Sequence, residues 1–223
     1  MALITEGVTD QFIIKPIIEN YFPEYEFRFT PIQPPVDETD KQTDFGSWVN
    51  VISLCKSKDI AEIFNYNDFL IIQIDGDVSQ EKGFDVPHLD GGKQIDSKTL
   101  CNNIIRKLQT FISKEVWNKY SNKIIFSIGI LSMECWLVGL VDANHNKKNT
   151  NNCIKRLNIA LSKKNEKIVN PKNKNNFQSR SIYKNLAGKF RNKKTINKFS
   201  KTNVGFECFV EQLNNMIFFR KVI

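Results

Sequence analysis

Two carboxylates one residue apart, Asp75 and Asp77, close the aliphatic run Leu70-Ile71-Ile72-Gln73-Ile74. Side chains two apart on an extended chain point to the same side, and Gly76 between them leaves room for a close approach. Like charges held this close need a cation or a shared proton. A hard, all-oxygen donor set suits Mg²⁺ or Mn²⁺. The bland alternative is a strand that simply ends in a turn, because Asp and Gly both favour turns. Three further carboxylates are candidates for the same crevice. Glu6 follows the short apolar segment Met1 to Thr5, Asp10 lies four residues later, and Glu134 follows the apolar run Lys123 to Leu131.

These residues must be positioned by strands that deliver them to one edge. Short β-branched runs read as buried strands of a parallel sheet, and ligands of such sheets sit beyond the strands' carboxyl ends. Met1 to Thr5, residues 70–75 and Lys123 to Leu131 are read as three such strands, and the alternating Glu24 to Thr30 as another. A helix after Glu6 places Ile13, Ile14, Ile17, Ile18 and Tyr21 on one face. Thr9 is its expected N-cap, and Pro16 predicts a kink or a delayed start. Pro31 to Asp44 reads as a polar loop, residues 45–64 as helical, and Val78 to Ile95 as a long loop. Ser97 to Tyr120 is the clearest helix. Asn151 to Lys163, Ser179 to Ser200 and Val204 to Phe219, with Ile217 on its apolar face, complete the helical reading. Lys164 to Asn176 reads as a mobile basic connection. The expected architecture is α/β: a central, mostly parallel sheet flanked by helices over residues 1–140, with a basic, mainly helical extension over 141–223 packed on it.

Charge divides the chain. Residues 147–201 hold 17 Lys or Arg and one acidic residue, Glu166, whereas residues 1–146 carry a net of −8. Basic density of this kind is the footprint of a polyanion partner; the plainer alternative is a solvated basic face. Lys155, Arg156, Arg180, Lys184, Lys189, Arg191, Lys193 and Lys194 are the candidate phosphate contacts. No apolar run reaches membrane-span length, and no leader pattern opens the sequence. Five scattered cysteines without C-x-x-C argue against a zinc ribbon or disulfide framework. They are read as buried thiols of a cytoplasmic protein.

The ordered set of Glu6-Gly7-Val8-Thr9-Asp10, Asp75-Gly76-Asp77 and Glu134 resembles the TOPRIM domain, the topoisomerase–primase fold. Its Glu-Gly-x-Thr-Asp form resembles the nuclease branch, including the overcoming-lysogenisation-defect nucleases and stand-alone TOPRIM effectors. The resemblance spans roughly residues 1–140. It implies a Rossmann-like sheet and a metal-dependent endonuclease. Glu6, Asp10, Asp75, Asp77 and Glu134 would hold Mg²⁺, or Mn²⁺, with Glu6, Asp75 and Asp77 central to catalysis. A late lysine near the scissile phosphate would be Lys184, with Lys189 in competition. It further implies a toxic effector of bacterial anti-phage defence acting on DNA or tRNA. A separate ATPase or inhibitory partner would provide control. The apolar face of the C-terminal helix offers a homodimer contact, or equally a contact with the chain's own core. The rival from another class is a non-catalytic nucleic-acid-binding subunit of a larger complex. A haloacid-dehalogenase-like phosphatase also uses Asp-x-Asp, but Val78-Ser79 follows Asp77 where that family expects Thr or Val two residues on, and no downstream motif supports it.

Overall fold

The computed structural model describes residues 1–39, 41–142, 144–145 and 151–216. Four strands form a fully parallel sheet: β1 (Ala2–Ile4), β2 (Thr30–Gln33), β3 (Leu70–Asp75) and β6 (Ile124–Gly129), in the order β2-β1-β3-β6. The small antiparallel pair β4 (Leu89–Asp90) and β5 (Lys93–Gln94) stands apart from it. The helices are α1 (Val8–Tyr21), α2 (Trp48–Lys56), α3 (Ser97–Phe111), α4 (Lys114–Tyr120), α5 (Glu134–Val141), α6 (Cys153–Ser162), α7 (Phe177–Ala187), α8 (Lys193–Ser200) and α9 (Val204–Asn214). Among the described residues no helix is long and apolar enough to cross a membrane.

Register and alternation sort the core into two layers. Leu3, Ile71 and Ile125 align across the strands and pack with α1, α5 and α7. Ala2, Ile4, Ile72 and Phe126 face the other way, onto α2 and α3. The first crossover, through α1, therefore covers one face, and the second, through α2, covers the other. The chain reverses its direction of travel between β1 and β3, which makes their carboxyl ends the topological switch point. That crevice is where open α/β sheets receive ligands. On the far edge α9 lies along β6. Its Gln212 side chain both accepts the Phe126 N–H (2.9 Å) and donates to the Phe126 carbonyl (2.8 Å), so an open strand edge is covered.

The structure departs from the sequence expectation at several elements. The second strand is Thr30–Gln33, not Glu24 to Thr30. Alternation there reflects Tyr25, Phe27 and Phe29 packing against the core, and they do so without strand pairing. The α1 N-cap is Gly7, not Thr9, and the helix runs unbroken from Val8 to Tyr21 with Pro16 inside it. Burying Phe12, Ile13, Ile14, Ile17 and Ile18 is worth on the order of 10 kcal/mol, which exceeds the roughly 3 kcal/mol an interior proline costs. Ser97 to Tyr120 is two helices, because Ser113 caps α4 through the Val116 N–H (3.3 Å). Ser179 to Ser200 likewise divides at Asn192, which accepts from Thr195 (2.9 Å). The terminal helix ends at Asn214, and Ile217 lies outside the described residues. Cys135 and Cys153 form a disulfide joining α5 to α6, with Cα atoms 5.0 Å apart. This corrects the reading of all five cysteines as thiols; Cys55, Cys101 and Cys208 are free and buried. The spacing of 18 residues carries no such signal; packing of α5 on α6 supplies the proximity.

Candidate functional site

The switch-point crevice is built from the ends of three adjacent elements. Glu6 leaves β1, and its Oε1 accepts the Asp75 N–H at the end of β3 (2.6 Å). Gln73, fully buried in β3, accepts the Glu6 N–H on Oε1 (2.9 Å) and donates from Nε2 to Asp75 Oδ1 (3.1 Å). One glutamine thus locks the two strand ends in register. Asp10, in the first turn of α1, accepts the Gly7 N–H (2.9 Å), a placement the positive end of a helix favours. Glu134 opens α5 after β6 and is buried. Its Oε1 accepts from the Tyr183 hydroxyl (2.5 Å) and from the Lys174 ammonium (2.7 Å).

Two glycines let these ends come together. A Cβ on Gly76 would stand 2.1 Å from the Ile130 carbonyl oxygen, and one on Gly129 would stand 2.4 Å from Asp75 Oδ1. The first clash is with backbone, which cannot rotate away. Gly76→Ala is therefore expected to cost about 1–3 kcal/mol, read as a lowered denaturant midpoint with unchanged slope. An unchanged midpoint would mean the β3 and β6 ends are not this close.

The electrostatics follow from crowding. Burial, then Asp10 and Asp77 nearby, push Glu6 up to about 8 against the relief given by the Asp75 N–H. Burial raises Asp10 to about 7, with Lys174 opposing it and Glu134 reinforcing it. Asp75 is raised well above its usual range by burial and by Glu6, Asp10 and Glu134 together. Asp77, the exposed member, is raised more modestly by burial of its surroundings, with Lys174 opposing. Glu134 goes the other way. Burial alone would raise it, but the Lys174 ion pair and the Tyr183 hydrogen bond hold it below the ordinary value. Lys174 is itself raised: burial works against its charge and is outweighed by Glu134 and Asp75.

A pH dependence follows. Between about 4.5 and about 8 the folded protein keeps a proton on Glu6 that the unfolded chain has released. The folded state binds more protons there, so this group's contribution to stability falls as pH rises through that window. In EDTA, wild type is expected to lose about 5 °C or more of Tm between pH 5.5 and pH 8 relative to Glu6→Gln. Parallel curves for the two proteins would remove Glu6 from the crowded site.

The structure brings together Glu6, Asp10, Asp75, Asp77 and Glu134 at one edge of the sheet. Among the described residues, however, no three His, Cys, Asp or Glu side chains converge in a ready metal-holding arrangement. Their oxygens instead turn to backbone N–H groups, Gln73, Tyr183 and Lys174. The donor set still fits a hard divalent cation, because all five groups are carboxylates whose raised or paired states report a shortage of positive charge. Comparison with protein-family models, with curated proteins and with solved structures returned no match.

Lys184 is exposed and holds its ammonium 4.6 Å from the centre of the Phe12 ring. The lysine among the carboxylates is Lys174. Sequence reasoning did not single it out because it is one of 17 basic residues in its segment. Tyr183 was equally unmarked. Gln73 carried a signal, since a lone amide inside LIIQID must find buried partners. Of the candidate phosphate contacts, Lys155, Arg191 and Lys194 are exposed. Lys193 lies over the Tyr21 ring (4.5 Å), Arg156 reaches His145 Nδ1 (3.0 Å), and Lys189 stands 3.9 Å from Glu166. Arg180 is partly buried.

Proposed function

We propose that this chain is a metal-dependent nuclease with a TOPRIM-like site. The observation that carries the reading is the meeting of carboxylates from β1, β3 and the β6–α5 junction at the switch point, with one ammonium, Lys174, among them. Glu6, Asp10, Asp75 and Asp77 would hold Mg²⁺ or Mn²⁺. When bound, the ion would supply Lewis-acid polarisation of the phosphate and a more acidic water.

The chain's own residues do the rest. Lys174 offers a positive charge beside the carboxylates and would neutralise a phosphate oxygen as charge develops on it. Glu134 is its anchor: buried, ionised and bonded to Tyr183, it fixes the ammonium's direction, a role that suits it better than direct ion binding. Asp77, exposed and with a raised pKa, is the carboxylate best placed to take a proton from water. Gln73 keeps Glu6 and Asp75 aligned while they charge. The exposed cations Lys155, Arg191 and Lys194 would grip the sugar–phosphate backbone in a salt-sensitive way.

The test is a cleavage panel of supercoiled plasmid, linear duplex, single-stranded DNA and total tRNA, incubated with Mg²⁺, Mn²⁺ or EDTA. Cutting in Mg²⁺ or Mn²⁺ that stops in EDTA is the expected result. Intact substrates in every lane, with the protein still bound to them, would favour a nucleic-acid-binding subunit.

A further inference from the structure

Two phenyl rings stand in solvent near the acidic crevice, Phe45 on the loop before α2 and Phe177 at the start of α7. Phe45 is 85% exposed and Phe177 is 81% exposed. Their backbones are fixed. The Phe45 carbonyl accepts from Gln33 Nε2 (3.1 Å) and from Asn50 Nδ2 (2.7 Å). A Cβ on the next residue, Gly46, would lie 2.0 Å from the Glu6 carbonyl oxygen, so this loop rests directly on the backbone of a site carboxylate. Phe177 is the first residue of α7, directly after its N-cap Asn176, whose side chain accepts the Ser179 N–H (2.8 Å). It follows Lys174 by three residues, within about 11 Å of chain. Asn175 Nδ2 donates to Gln42 Oε1 (2.8 Å) and ties the two loops to each other.

We infer that Phe45 and Phe177 are stacking platforms for unpaired bases beside the crevice, and that the substrate class is single-stranded nucleic acid. The inference rests on the nuclease reading of the crevice and names what that crevice takes. A scattered exposed apolar side chain is ordinary. Two large rings on pinned backbones, in hydrogen-bonded loops that carry a site lysine and rest on a site glutamate, are a placement that needs a flat apolar occupant. The basic segment that carries Phe177 selects a polyanion. Unpaired bases offer both faces at every step, and stacking on aromatic side chains is tolerant of sequence. A duplex keeps its base faces stacked inside and offers the rings only edges and backbone.

The experiment measures fluorescence anisotropy with labelled dT12, U12 and a 12-bp duplex, in EDTA and in Ca²⁺, on the full chain. Phe45→Ala and Phe177→Ala are each expected to weaken single-strand binding about 5- to 100-fold, with little change for duplex. Tyr66→Ala is the control: Tyr66 is 90% exposed but precedes β3, at the opposite end of the sheet from Asp75. It should bind as wild type. Phe45→Trp should retain affinity, with indole fluorescence quenched as bases stack. Similar affinity for dT12 and U12 assigns recognition to base faces; a marked preference for U12 assigns an additional contact to the ribose hydroxyl. Duplex bound as tightly as single strand, or both alanine variants within twofold of wild type, would overturn the inference. Single-strand binding without cutting in Mg²⁺ would instead retain the platforms and sink the nuclease reading. Undiminished cutting of single strands by both variants would do the reverse.

Discussion

Asp75→Asn is expected to lower cleavage by about 10³-fold or more while raising the Tm of the metal-free protein. The two effects have one cause. Asp75 sits where burial, Glu6, Asp10 and Glu134 all oppose its charge, and Lys174 opposes them. Asparagine keeps the shape, can accept the Gln73 Nε2–H and leaves its own N–H on Glu6, so the β1–β3 junction survives. What disappears is a carboxyl group whose ionisation the site resists, being already short of positive charge. Without metal that is a relief, and on the proposed nuclease reading it would also be the loss of a ligand. Cleavage rates in Mg²⁺ and calorimetry in EDTA would be run on the same preparations. A variant that cuts normally removes Asp75 from the chemistry. One that is inactive and also less stable makes the carboxylate a structural element, because its ionised form would then be holding the fold together.

The sheet and its acidic edge were legible because they rest on local patterns. Apolar runs at 70–74 and 124–128 leave few options but buried strands, and a carboxylate at the end of each declares itself. Glu6, Asp75 and Glu134 therefore fall at the crevice as the strand readings require. The order β2-β1-β3-β6 was not legible, and with it the switch point between β1 and β3, because strand order depends on crossovers that leave no residue signature. Strand β2 was misplaced because aromatic alternation at 25, 27 and 29 imitates a strand when a loop packs its rings inward. The disulfide and Lys174 were hidden for another reason. Both depend on contacts between parts of the chain remote in sequence, Cys135 with Cys153 and Lys174 with Glu134. A basic stretch invites the reading that all its members face a polyanion. Among the described residues its cations divide between exposed ones such as Arg191 and Lys194, others seated on aromatic rings, Arg156 and Lys189 beside His145 and Glu166, and Lys174 turned inward to the carboxylates.

That inward lysine sets the second large expectation. Lys174→Met should reduce cleavage about 10²- to 10³-fold and destabilise the fold by roughly 1–3 kcal/mol. Breaking a fully buried pair leaves an uncompensated charge at about 3–5 kcal/mol. Here the figure is discounted because the lysine side chain is 39% exposed, although Glu134 is only 4% exposed. The stability loss resides in Glu134, so Glu134→Gln combined with Lys174→Met should recover most of it, because a neutral amide can still accept from Tyr183. On the proposed nuclease reading activity should not recover, because the phosphate would still lack its ammonium. Chemical denaturation and single-turnover cleavage of the two single variants and the double would separate these roles. Recovery of both stability and cleavage in the double variant would make Lys174 only the counter-ion of Glu134. Loss of cleavage with stability restored would place its charge in the reaction, and would explain why a basic segment sends the Lys174 side chain into a crevice of carboxylates.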